Sequence, residues 1–328
     1  MFAGDGHKRI AIYYEHPEWF KPLFAELEAR GVSFEKLLAS EHQFKPTARS
    51  VPYDLLVNRM SPSAYTRGHE HAIFFSLHYL SHLKVIGANV LNGFDAYLYE
   101  ISKARQIGLL DRLGVRYPRA HVINNGTLAP TVAQDLTFPV ILKPNIGGSG
   151  AKIVRFDTME ALTLAADIGN LDLGIDQTAL IQEYLPAEGN SIIRVEVMDG
   201  EFLYAIRLFL TEGEFNLCPA DYCLPPTTEG RSTHGLHDGV SGRGVPVEAY
   251  KPPDDVINDV LRITSAANIE IGGVEYLINE RDGEAYFYDI NALSNFVADA
   301  PNVIGFDPFP GFVDFILERA GVRSFEQA

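Results

Sequence analysis

Tyr286-Phe-Tyr-Asp-Ile-Asn291, read together with Gly272-Gly-Val-Glu-Tyr276 upstream, organises the reading of this chain. Each segment has the apolar alternation of a strand and carries a carboxylate where that alternation stops, Asp289 in one and Glu275 in the other. Side chains two apart on a strand share a face, so Asp289 and Asn291 can point at one target. With Glu275 from a neighbouring strand they make three hard oxygen donors, the chemistry Mg2+ takes when it also holds nucleotide phosphates. A hairpin whose polar residues face solvent fits the same residues, since Asp and Asn are common at strand ends.

The second informative stretch lies upstream, Pro139-Val-Ile-Leu-Lys-Pro-Asn-Ile-Gly-Gly-Ser-Gly-Ala-Lys-Ile-Val-Arg-Phe156. It reads as an apolar strand ending in Lys143, a glycine-rich loop, and a second strand. Gly147, Gly148 and Gly150, with Ser149 between them, let backbone N–H groups approach phosphate oxygens closely, and Lys143 adds a point charge. No Gly-Lys-Ser/Thr follows, and no Gly-x-Gly-x-x-Gly opens a helix, so this is neither a P-loop nor a dinucleotide fingerprint. A glycine-rich hairpin turn is the alternative.

At 328 residues the chain exceeds what one core usually supports, so two or three subdomains are expected. Its 46% hydrophobic and 21% charged residues are those of an ordinary globular protein. A net charge of −16 argues against nucleic acid or an anionic membrane surface as partner and is compatible with a small or cationic amine. The polar start followed by the short run Ile10 to Tyr14 is neither signal peptide nor membrane span. Cys218 and Cys223, in one segment, fit a reducing cytoplasm better than a disulfide framework. His234 and His237 lie nearby, but their spacing with the cysteines lacks a finger-like arrangement for zinc.

Three zones follow one another. In the first, strands over Arg9 to Tyr14, Val32 to Leu38, Tyr53 to Asn58 and Lys84 to Ile86 alternate with helices over Pro17 to Arg30 and around His71 to Leu83, the pattern of a parallel sheet. Ligands on such sheets sit at the carboxyl ends of strands. Asn58, Arg59 and Ser61 lie there, Arg59 either gripping a substrate carboxylate or pairing with a local acid. The second zone opens with a helix near Asp95 to Leu113 and closes with the strand Ala179 to Glu183. The third begins with a hairpin through Asp199-Gly200 that places Arg194 and Arg207 in apolar strands, where each needs a partner. Residues 223 to 250 have little periodicity and read as a mobile loop, either a lid or a surface insertion. Helices follow over Pro252 to Ala267 and Phe309 to Ala320.

The order of these elements resembles the ATP-grasp superfamily, and within it the glutathione synthetase and RimK-type carboxylate:amine ligases. Five stretches carry the resemblance: Glu100-Ile-Ser-Lys103-Ala-Arg-Gln, Pro139 to Lys143 with its glycine loop, Leu180-Ile-Gln-Glu183-Tyr-Leu185, Ile192-Ile-Arg194-Val-Glu-Val, and the strands carrying Glu275 and Asn291. It implies an α/β ATP-grasp fold: an N-terminal parallel domain at 1–95, a central subdomain at 96–187 and a C-terminal subdomain at 188–328, the last two clasping the nucleotide. It further implies ATP held by Lys103, Lys143 and the glycine loop, with Glu183, Tyr184 and Leu185 at the adenine hinge and Glu188 near the ribose. Mg2+, or Mn2+ in its place, would sit on Glu275, Asp289 and Asn291, and Arg194 and Arg207 would act on the transition state. Arg59, Asn216, Ser294 and Asn295 are the substrate-side candidates. Here the chain departs from the family, reading Asn291-Ala-Leu-Ser-Asn-Phe296 where a Pro-Gly turn is usual, and carrying an unusual Glu214 to Cys223 segment. The implied activity joins a small or peptide carboxylate to an amine at the expense of ATP. A small-molecule kinase, a non-catalytic ATP-binding regulator and a homo-oligomer stay open.

Overall fold

The computed structural model describes residues 9–148, 150–210 and 246–322. Ser149, Asn216, both cysteines, His234, His237 and most of the segment read as a lid therefore lie outside the described residues.

The first sheet is parallel, in the order β2 (Phe34–Leu38), β1 (Ile10–Tyr14), β3 (Leu55–Arg59), β4 (Val90–Leu91). Parallel sheets are covered on both faces, which is why β1 is apolar throughout. Ile10 and Ile12 enter one core, while Ala11 and Tyr13 enter another with α2 (Glu70–Val85). The strand expected at Lys84 to Ile86 is instead the end of α2, where the Ile86 N–H bonds the His82 carbonyl at 3.1 Å. The helical stripe Ala72, Ile73, Ser76, Tyr79, Leu80, Leu83 carries the helix through to that point.

The long helix expected near Asp95 to Leu113 is broken into α3 (Phe94–Glu100) and α4 (Lys103–Leu113). Ser102 sits in extended backbone at the break and caps α4, its Oγ accepting the Arg105 N–H at 3.3 Å. That break puts Lys103 on the first turn of a helix.

The second sheet is antiparallel, β5 (Ala120–Ile123), β8 (Ala179–Glu183), β6 (Val140–Pro144), β7 (Val154–Phe156). The short helix α5 (Ala129–Val132) and α6 (Met159–Asp167) pack with it around a separate core. The third sheet is also antiparallel: β11 (Val247–Tyr250), β10 (Glu201–Phe209), β9 (Ser191–Met198), β12 (Ile271–Ile278), β13 (Ala285–Asn291). The β9–β10 turn runs through Asp199 and Gly200, both at positive φ, as a tight hairpin requires. Four residues of the expected loop, Val247–Tyr250, form the edge strand by pairing with β10, a contact their own sequence does not announce.

One face of the third sheet packs on α4 and α7 (Asp254–Ala266). Its other face shares a core with the first sheet. Ile10, Ile12 and Leu27 of the N-terminal region cluster with Ile192, Tyr204 and Leu208 and with Phe312 and Ile316 of α9 (Pro308–Arg319); the label α8 belongs to the short helix Ala300–Ile304. The N- and C-terminal regions are thus packed as one body. Among the described residues no helix is long and apolar enough to cross a membrane.

Candidate active site

Strand register builds the site. On the third sheet Arg194 of β9 lies opposite Glu275 of β12, and Glu275 lies opposite Asp289 of β13. Two residues along, Glu196, Gly273 and Asn291 form a second row in the same way. All of these side-chain positions share one face by strand alternation. Gly273 leaves room there: a Cβ at that position would lie 2.8 Å from Glu196 Oε1 and 2.9 Å from Arg194 Nε. Into that space Arg194 lays its guanidinium, with Nε donating to Glu196 Oε1 at 2.6 Å and Nη1 to Glu275 Oε1 at 3.0 Å.

Two lysines reach the same face from outside the sheet. Asp289 Oδ1 lies 3.2 Å from Lys103 Nζ and 3.6 Å from Lys143 Nζ, while Lys143 also donates to the Tyr288 carbonyl at 3.2 Å. Asn145, two residues beyond Lys143, sets the spacing of the lysines. Its Oδ1 accepts from Ser102 Oγ at 3.1 Å and the Ala104 N–H at 3.0 Å, its carbonyl accepts the Lys103 N–H at 3.3 Å, and its Nδ2 donates to Asp176 at 2.8 Å. Glu100 pins the chain on the other side: its Oε2 accepts the Ala292 and Leu293 N–H groups, the second at 3.1 Å. These bonds fix the loop that follows Asn291.

The glycine loop closes the space from above and touches the N-terminal region, because a Cβ on Gly148 would come within 2.8 Å of the Ser63 Cβ. The result is a cleft of roughly 110 Å3, open to solvent. Lys103, Lys143, Gly147, Gly148, Gly150, Arg194, Glu275, Asp289, Asn291 and Asn295 all line it. Its far wall is Trp19, Ser61 and Ser63.

Charge is dense and buried. Burial alone would push Asp289 up, but Lys103 and Lys143 outweigh it and hold the carboxyl at about 2. Burial, helped by Lys103, lowers Lys143 to about 8. Burial raises Glu275, and the Asp289 carboxylate across the strand pair adds to the rise against the pull of Arg194 and Lys143. Burial likewise lifts Glu100 to about 7 against its two amide hydrogen bonds. Arg194 stays fully charged because Glu196 and Glu275 overcome its desolvation. Two repelling carboxylates with an amide beside them, Asn291 Nδ2 being 3.5 Å from Asp289 Oδ2, suit a divalent cation. Among the described residues no group of three His, Cys, Asp or Glu side chains gathers to hold a metal.

Several sequence-predicted residues fall elsewhere. Arg207 pairs with Ile193, one residue out of phase with Arg194, so it faces the helix-covered side; it lies 4.3 Å from the Tyr250 ring centre and 3.5 Å from Glu248. The expectation of a catalytic role fails there on strand alternation. Arg59 is 2% exposed, wedged between the Phe20 and Phe312 rings, and burial lowers its guanidinium to about 10. Ser294 is fully buried and its Oγ accepts the Phe296 N–H. At the hinge, the Glu183 and Tyr184 N–H groups are taken by the Arg119 and Pro139 carbonyls. Leu185 packs in the core and Glu188 is exposed on a short turn. None of these residues lines the cleft. The sequence reading passed over Trp19, Ser63, Glu100 and Glu196 as site residues. Glu196 carries a usable signal, being two residues from Arg194 on one strand; the other three are brought in only by tertiary contacts.

A parallel N-terminal sheet, a glycine loop on an antiparallel sheet, and a charged face on a second antiparallel sheet define the ATP-grasp fold. Solved structures share it: a D-cycloserine synthetase, DcsG, superposes with a TM-score of 0.65 at 13% identity, covering 95% of this chain and 99% of that one. The ATP-grasp ligase PsnB, bound to a variant of its minimal precursor, Mg and ADP, gives 0.63 at 17% identity, with 94% and 98% covered. Residues 101–218 match the family described as the RimK-like ATP-grasp domain. A probable alpha-L-glutamate ligase 1 of Pseudoalteromonas atlantica is 28% identical over 166 residues, which is 50% of this chain and 51% of the relative. The chain thus spans about half the length of the curated relatives it matches.

Proposed function

We propose that this protein is an ATP-dependent, ADP-forming ligase that joins a carboxylate, an amino acid or peptide, to an amine. The observation that carries the reading is the charged row Arg194–Glu275–Asp289, flanked by Lys103 and Lys143 and facing the glycine loop across one cleft. Lys103, Lys143 and the loop amides bind the triphosphate. Glu275, Asp289 and Asn291 would hold Mg2+, or Mn2+ in its place, which when bound supplies charge neutralisation at the phosphate oxygens. A carboxylate oxygen of the first substrate attacks the γ-phosphorus and ADP leaves, giving an acyl phosphate. The amine nitrogen then attacks the acyl carbon, phosphate leaves and the nitrogen loses a proton, giving the amide. Arg194, fully charged and held flat over Gly273, stabilises the oxygen that becomes negative at the acyl centre. A covalent enzyme nucleophile has no part in this sequence. The domain limits 1–95, 96–187 and 188–328 belong to the same reading, as does a cytoplasmic site of action where ATP is available.

The test is a screen of ADP release over paired carboxylates and amines, with hydroxylamine added to trap acyl phosphate as hydroxamate. The expected result is carboxylate-dependent hydroxamate and a product mass equal to the two substrates less one water. A stable phosphorylated alcohol, with no amide or hydroxamate, would refute the ligase reading. Asp289→Asn and Asn291→Ala should each lower turnover by orders of magnitude while the protein stays folded, Asp289→Asn melting lower because Lys103 and Lys143 lose their buried partner.

A further inference from the structure

Among the described residues that line the cleft, four buried polar atoms lack a hydrogen-bond partner, Glu196 Oε2, Tyr288 OH, Asp289 Oδ1 and Asn295 Oδ1. Asp289 Oδ1 has its ion pairs with Lys103 and Lys143, and Tyr288 OH can donate as well as accept, which leaves Glu196 Oε2 and Asn295 Oδ1 as acceptors with nothing facing them. Glu196 is 2% exposed, and its other oxygen is already committed to Arg194 Nε. A carboxylate oxygen and an amide oxygen can only accept, so a group satisfying both must donate. Leaving a buried acceptor unpaired is costly enough that such a group in a native site calls for an explanation.

The place narrows the donor. Glu196 stands two residues from Arg194 on β9, in the row next to Glu275 and Asp289, and is set apart from them by the bare backbone of Gly273. A donor resting on Glu196 therefore sits within one strand step, about 7 Å, of the guanidinium that faces the acyl centre. The described cations lining this part of the cleft, Lys103, Lys143 and Arg194, are already matched to Asp289, Glu275 and Glu196. What this end of the cleft leaves for a newcomer is therefore a pair of acceptor oxygens, Glu196 Oε2 and Asn295 Oδ1.

We propose that Glu196, with Asn295, forms the subsite for the protonated amino group of the amine substrate, so that the second substrate is a primary amine that docks as its ammonium and gives one proton to water before its nitrogen attacks, the second proton leaving as the amide forms. This rests on the ligase reading for the use of the site, but its binding chemistry stands on Glu196 and Asn295. An ammonium has three donors, enough to satisfy both oxygens, and its bond to Glu196 is charge-assisted.

Trp19 is the single tryptophan of the chain and lines the same cleft, so its fluorescence reports occupancy. Glycinamide, an ammonium without a carboxylate, is titrated into protein saturated with a non-hydrolysable ATP analogue and Mg2+. Acetamide, which lacks the ammonium, is the control, and calorimetry gives a second readout. Saturable glycinamide binding is expected, with no acetamide binding. Glu196→Gln keeps an oxygen for Arg194 and should raise the glycinamide Kd at least tenfold, while the affinity for the nucleotide analogue changes less than twofold. Asn295→Leu, which leaves the Arg194–Glu196 pair untouched, should also weaken glycinamide. The proposal is overturned if wild type does not bind glycinamide, if acetamide binds as well, or if both variants bind glycinamide as wild type does. It is also overturned if Glu196→Gln loses the nucleotide analogue while Asn295→Leu binds glycinamide normally. Glycinamide binding that depends on Glu196, in a protein that forms no hydroxamate with any carboxylate, would keep the subsite and remove the ligase reading.

Discussion

Gly273→Ala tests the charged face without touching any charged residue. The added Cβ would stand 2.8 Å from Glu196 Oε1 and 2.9 Å from both Nε and Nη2 of Arg194, where comfortable contact needs about 3.5 Å. The guanidinium must therefore rise or slide by about 0.5 to 1 Å, and it cannot do so while keeping its 2.6 Å bond to Glu196 and its 3.0 Å bond to Glu275. Overpacking of this size costs about 1–3 kcal/mol of stability. Its effect on turnover should be larger, because a displacement near 1 Å of a positioned group costs about 100-fold, or about 3 kcal/mol of transition-state stabilisation. Lys103 and Lys143 lie away from Gly273, so binding of a non-hydrolysable ATP analogue should change less than threefold. The measurements are ADP release at saturating substrates, calorimetric titration of the analogue, and thermal unfolding. Wild-type turnover with an unchanged melting temperature would refute the placement of Arg194 over Gly273. Gly272→Ala makes an instructive contrast. There the Cβ would meet the Asn291 carbonyl at 2.3 Å, a backbone atom that cannot swing away, so the expected outcome is loss of the folded protein.

Asn145→Ala removes the side chain that ties Ser102 and Ala104 to the end of β6; it should cost about 2–3 kcal/mol of stability and weaken ATP binding about tenfold, both read by calorimetry. Lys103→Ala and Lys143→Ala should each weaken ATP binding by about 10- to 150-fold, the worth of one charge-assisted contact, and unchanged titrations for both would return the triphosphate to another place. Glu100 carries a pH signature. Its folded carboxyl titrates at about 7 against 4.5 for the ordinary group, so below 4.5 it is protonated in both states and imposes no penalty. As pH rises from 4.5 to 7 the unfolded chain ionises first, and wild type should lose up to about 3 kcal/mol relative to Glu100→Gln across that window, then run parallel to it above 7. Parallel stability curves across the whole range would show that Glu100 is not held neutral.

Much of this site could be read in the chain because strand chemistry is local. Period-two alternation marks which residues share a face, so Asp289 with Asn291 and Arg194 with Glu196 follow from sequence spacing alone. Lys143, near the end of β6, and the glycines after it are equally legible. Arg207 shows where that reading stops: it is as apolar in context as Arg194, but only the pairing of β10 with β9 shows that the two point to opposite faces. Lys103 looks like one more cation on an amphipathic helix until the break at Ser102 and the side chain of Asn145 place it at a buried helix start. The N-terminal residues of the cleft, Trp19, Ser61 and Ser63, are separated from Asp289 by more than two hundred residues, and nothing in either segment names the other. They meet because Ile10, Ile12 and Leu27 share one core with Ile192, Leu208 and Phe312. Sequence alone thus determined most of the strands, which residues of one strand share a face, and the kinds of charge they carry, since those depend on neighbours two to four residues away. Which faces meet, which cations are spent on carboxylates and which oxygens are left for a substrate are decided only when distant apolar surfaces pack together.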